Sequence, residues 1–127
     1  MEAKTPKRVA LVTVDVTTGT DGSVVITCSP NPVPIDEGAS NVLIAFTLAT
    51  SGYRFKSANA IELDVPADDF PYPSWTISDT SAALYDRNKI ADSLDYTVNI
   101  VDIKTGLEYS VDPVIQNGGG GGGPGGC

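Results

Sequence analysis

The 127 residues carry 16 acidic and 8 basic side chains, no histidine, and a formal net charge of -8. Apolar residues make up 41% and charged ones 19%, which suits one domain with a single hydrophobic core. The charge argues against binding a phosphate backbone. The missing histidine removes the commonest neutral-pH base and the commonest ligand for transition metals.

Residues 1–7 read as a frayed arm. In MEAKTPKRVALVTVDV basic residues precede apolar ones, but Asp15 interrupts the run and the apolar residues alternate from Val12. No secretory leader is expected, which leaves the cytoplasm as the default compartment. No stretch is long and apolar enough for a membrane span. In RVALVTVDV (8–16), Val12, Val14 and Val16 share one face of a strand. TTGTDG (17–22) is dense in turn formers, and Asp21-Gly22 suits a tight connection. SVVITCS (23–29) resumes the period of two with Val24, Ile26 and Cys28 on one face, so the two strands form a hairpin. The prolines of PNPVPIDEG (30–38) make an extended connection or an edge.

NVLIAFTLAT (41–50) is apolar on both faces and reads as a central strand. YRFKS (53–57) and AIELDV (60–65) follow as strands, the second with Ile61, Leu63 and Val65 inward. PADDFPYPSW (66–75) is irregular because its prolines forbid a regular central strand. SWTISD (74–79) forms a short strand. SAALYDRNKIADSL (81–94) holds either a strand over Ala82 to Tyr85 or one or two helical turns. DYTVNIVDI (95–103) and LEYSVDPVI (107–115) flank Lys104-Thr105-Gly106 as a second hairpin. About seven or eight short strands and no long helix fit an all-β sandwich or small barrel. The domain spans 8–116, and 117–127 is a flexible glycine-rich tail.

In DSLDYTV, Asp92, Leu94, Tyr96 and Val98 alternate. This resembles the start of strand F in immunoglobulin-like domains, where a tyrosine hydroxyl bonds back to the chain and locks a corner. VVITCS resembles strand B of the same superfamily, with Cys28 inward. Val98 replaces the cysteine expected opposite, and Ile44 or Phe46 lies where a core tryptophan is expected. The resemblance covers nearly all of the chain before Asn117. It implies a two-sheet antiparallel sandwich with structural roles for Tyr96, Asp92 and Cys28. It names no activity, because unrelated functions share that scaffold.

Catalysis finds little support. Cys28 has no histidine to pair with, a copper site of the cupredoxin kind lacks its ligands, and no serine sits in a nucleophile motif. No enzyme activity and no cofactor are expected; a small acid-dependent hydrolase is the third-ranked reading. Glu62, Asp64, Asp68 and Asp69 are weak calcium candidates, without the spacing of a known calcium loop. Asp92 with Asp95, and Asp36 with Glu37, are lesser clusters. Phe70, Tyr72 and Trp75 on the proline-stiffened segment offer a ligand or partner contact, unless they fold inward, with Trp75 the most buried. The two cysteines are Cys28 and Cys127; the first reads as core and the second as the reactive thiol. The leading reading is a non-catalytic module for protein contact or assembly, including self-association, through a sheet edge or face. The alternative is a carbohydrate- or calcium-binding accessory module that uses residues 62–75.

Overall fold

The computed structural model describes residues 8–118. Alternating β-branched residues set the first hairpin, β1 (Val9–Thr18) and β2 (Val24–Ser29). Val14 lies opposite Cys28 and Val16 opposite Ile26, so a single apolar stripe faces one way. The connection turns at Gly22, whose φ of 85° suits a residue without Cβ. Past Ser29 the prolines end pairing with β1, and the chain crosses to the second sheet as β3 (Val33–Pro34). It returns as β4 (Val42–Leu48), followed by β5 (Tyr53–Phe55) and β6 (Ile61–Leu63). Then come β7 (Trp75–Ser78), β8 (Ser81–Asp86) and the long β9 (Ala91–Asp102). Gly106, at φ 76°, turns β9 into β10 (Glu108–Val111), and β11 (Val114–Gly118) is the last described strand.

The strands form an all-β sandwich of two sheets. One has the order β2-β1-β4-β8-β7; in the other, β9 is central, with β10, β11 and β3 in line and β5 and β6 also paired to β9. Val12, Val14, Ile44 and Phe46 from the first sheet meet Tyr96, Val98 and Ile100 from the second, all essentially inaccessible. Phe46 and Tyr96 are the largest pair, with ring centroids 5.7 Å apart, and join the sheets at the centre.

Several expectations change. The described residues contain eleven strands rather than seven or eight, because β3 forms inside the proline-rich connection, β8 takes the open stretch and the 107–115 run is divided in two. Pro113 has no N–H for a ladder and separates β10 from β11, while its carbonyl accepts from the Tyr96 amide at 3.0 Å. The arrangement is mixed rather than antiparallel: β1 pairs with β4 in parallel, as β11 does with β3. The stretch 81–94 contains no helix; it supplies β8 and the start of β9. Val65 is 71% exposed instead of inward, since β6 stops at Leu63. The last strand runs two residues into the presumed tail. Asn117 is buried, and a Cβ on Gly118 would lie 2.7 Å from both the Glu37 amide nitrogen and the Ile35 carbonyl oxygen. Cys127 lies outside the described residues.

Candidate interaction surface

Strand phase decides what the first sheet shows to solvent. With Val12, Val14, Ile44 and Phe46 inward, the alternate residues of β1, β4 and β8 point out. Register aligns them in rows. Leu11 lies beside Ala45, Ala45 beside Ala83 and Ala83 beside Trp75. The neighbouring row is Val9, Leu43 and Tyr85. No charged residue interrupts either row. A third row, Ser29, Thr13, Thr47, Ser81 and Ser78, is made entirely of hydroxyls. One end of the face is therefore apolar and the other polar.

Trp75, the aromatic expected to be the most buried if the segment folds inward, is 47% exposed, and Ile77 is 69% exposed. The reason lies in Thr76, whose hydroxyl donates to the Lys56 carbonyl at 2.7 Å and turns inward between them. Of the three proposed aromatic contacts, Phe70 is half-buried against the core. Tyr72 is exposed and joins Trp75, with centroids 6.4 Å apart, to Tyr85, at 5.7 Å. Tyr85 in turn donates its hydroxyl hydrogen to Asn41 Oδ1. Sequence reasoning missed Tyr85 because it lay in the one stretch left open between strand and helix. The first row crosses four strands and the second three, so at about 4.8 Å per strand and about 6.8 Å per two-residue step they span roughly 230 Å² of sheet, with Ala83 buried among its neighbours. With the exposed Tyr72 and Ile77 beside the rows, the face approaches the largest apolar patch of an ordinary monomer, a size often tied to function.

A shallow cleft of about 420 Å³ opens beside the patch, lined by Val9, Leu11, Pro30, Val33, Pro34 and Asp36. It exists because β2 pairs only with Thr13 to Thr18 of β1. The Arg8 and Val14 carbonyls accept from residues of the β4 segment, so by alternation Val9 and Leu11 direct their backbone groups to the other edge. No described strand occupies that edge.

The four calcium candidates do not gather into one ligand set among the described residues. Glu62 accepts from Asn99 Nδ2 at 3.0 Å, and Asp64 approaches the Thr97 hydroxyl at 2.6 Å. Asp64 and Asp68 border one cleft with Asp92 and Asp95. Asp69 is buried, and its Oδ2 accepts from the Lys89 and Ile90 amides, each at 3.0 Å, and from Asn117 Nδ2 at 3.1 Å. Among the described residues no group of three or more histidine, cysteine, aspartate or glutamate side chains is placed to hold a metal ion.

The three structural residues also separate. Asp92 is exposed at the start of β9, and its Oδ1 accepts from the Ser93 amide. Cys28 is buried, and desolvation pushes its thiol up to about 11, so it is a poor nucleophile at neutral pH. Tyr96 does not make the corner bond that the resemblance implied. Its hydroxyl is buried without a hydrogen-bond partner among the described residues. Desolvation first, and then Cys28, raise its pKa.

A scan against protein-family models gives no match, and no curated protein matches the chain. Among the described residues no helix is long and apolar enough to cross a membrane. The all-β two-sheet sandwich is consistent with a structural or interaction module.

Proposed function

We propose that the protein is a non-catalytic interaction module that receives a protein partner on the apolar half of its five-stranded sheet. The carrying observation is the pair of registered, uncharged rows, Leu11-Ala45-Ala83-Trp75 and Val9-Leu43-Tyr85, on a chain of net charge -8. Rigid strands present these side chains, so little conformational entropy is lost on contact. Trp75 and Tyr72 are residue types that anchor interfaces, and the hydroxyl row supplies a wet, polar rim. A patch of this size suits a transient contact better than an obligate one.

A carbohydrate-binding reading draws on the same aromatics. The aliphatic flank of Leu11, Val9, Leu43 and Ile77 favours protein, because a sugar needs polar groups placed beside the stacking rings. An immunoglobulin-like architecture is supported by the two packed sheets, by β9 at the centre of its sheet, and by Cys28 and Tyr96 in opposite sheets. The departures are β2 at an edge and β1 inserted in parallel beside β4.

A photo-crosslinking side chain placed at Leu11 or Trp75, compared with one at Asp15 or Thr27 on the polar half of the face, tests the reading. Discrete protein adducts are expected from the first pair alone. Equal adducts from both pairs, or none from the first, refute it.

A further inference from the structure

The side chains of Asp86, Asn88 and Asn117 are fully buried and Asp69 is nearly so. Together they tie β8 and β11 to the two loops on either side. Asp86 Oδ1 accepts from the Asn88 amide at 2.8 Å and from Asn117 Nδ2 at 3.1 Å. The other Nδ2 hydrogen of Asn117 goes to Asp69 Oδ2 at 3.1 Å, so both amide donors are used. Two atoms are left over, Asp86 Oδ2 and Asn117 Oδ1, each buried and without a partner among the described residues. Both are acceptors when Asp86 is ionised, and they belong to two groups already joined through their other atoms. One hydrogen supplies what both lack. A carboxylic acid and a primary amide can close a ring of two bonds, N–H to the acid carbonyl and O–H to the amide oxygen.

We infer that Asp86 is held as the neutral acid in the folded protein, its Oδ2 proton donated to Asn117 Oδ1, so that one bound proton latches the end of β11 to β8. The proton comes from water, and nothing else is exchanged. Asp69 Oδ2 already accepts three N–H donors, whereas it is Asp86 whose second oxygen is buried without a partner among the described residues.

The surrounding charges act in the same sense. Desolvation is the largest influence on Asp86 and favours the neutral form. The bonds from Asn88 and Asn117 oppose it, the negative charge of Asp69 adds to it, and the balance pushes Asp86 up to about 6. The other ionisable groups on packed elements are Arg87 and Lys89 beside it in the chain, Asp36 and Glu37 before β4, and Asp92 opposite Asn117 on β9. None of these joins Asp69 among the charges that shift it.

The folded pKa lies above the ordinary 3.8, so the folded state holds a proton that the unfolded chain has released between those two values. The latch therefore stabilises the fold fully below about pH 3.8, and its contribution is lost as pH rises through about 6.

Asp86→Asn supplies an N–H in place of the acid O–H and does not titrate. From pH 4 to 7.5, the unfolding constant of wild type should rise relative to the variant by up to about a hundredfold. A ratio that stays within about threefold overturns the inference. On wild type alone, carboxyl carbon NMR should give Asp86 a midpoint near 6, and amide exchange at Asn117 should quicken above it. A midpoint at or below the ordinary 3.8 overturns the inference. So does millimolar calcium raising the melting temperature of wild type but not of Asp86→Asn.

Discussion

Replacing Asn88 by alanine tests how two loops at one end of the sandwich are joined. Asn88 Nδ2 donates to the Asp36 carbonyl at 2.8 Å and to the Ala39 carbonyl at 2.6 Å. These bonds hold the loop before β4 against the loop after β8. The residue also turns the chain at φ 53°, a left-handed conformation that asparagine tolerates better than alanine. Alanine removes the donor from both carbonyls, at about 1 kcal/mol each and more where a buried group is stranded. It adds roughly 1 kcal/mol of backbone strain. The expected loss is about 3–5 kcal/mol, read as a lower urea midpoint at unchanged slope. Asn88→Gly loses the same bonds without the strain, so it should be about 1 kcal/mol less damaging. An alanine loss below about 1 kcal/mol, or glycine costing more than alanine, refutes the reasoning.

Two further substitutions separate packing from bonding. Tyr96→Phe removes a hydroxyl that has no partner among the described residues, so urea titration should show a stability change within about 0.5 kcal/mol or a gain. A locked tyrosine corner would instead lose a hydrogen bond and well over 1 kcal/mol. Gly118→Ala drives a Cβ to 2.7 Å from the backbone beside Ile35 and Glu37. It should cost about 1–3 kcal/mol in thermal or urea unfolding, although Gly118 opens a run of glycines that looks dispensable.

Local pattern carried much of the fold. The β1–β2 hairpin follows from the alternation of Val12, Val14, Val16, Ile26 and Cys28, because each lies close in sequence to its cross-strand neighbour. The inward phase of Tyr96 and Val98 was equally legible. The parallel seams were not, since period-two alternation says which face is buried and nothing about which distant strand lies alongside. At Trp75 the failure was one of phase. Trp75 and Ile77 are the apolar residues of WTIS, and only the bond from Thr76 to Lys56 shows that they face out. The buried polar cluster was hidden for a chemical reason. Asp86, Asn88 and Asn117 are residue types usually found at turns and surfaces, and their burial depends on contacts between segments far apart in the chain. Asp69 was noticed, but for a calcium role that its three N–H donors leave it unsuited to fill.

The two parallel pairings also govern how the chain reaches its native state. The β1–β2 hairpin can close as soon as its residues are available, yet Val9 must still find Leu43 across everything between them. Val33 must wait for Ile115, near the end of the described chain. Such distant closures carry a large entropic cost before any contact rewards them, so folding is slow for a domain of this size. During synthesis the backbone edge of β3 stays unpaired until β11 emerges. The nascent protein therefore depends on its last described strand to close an edge that β3 leaves open.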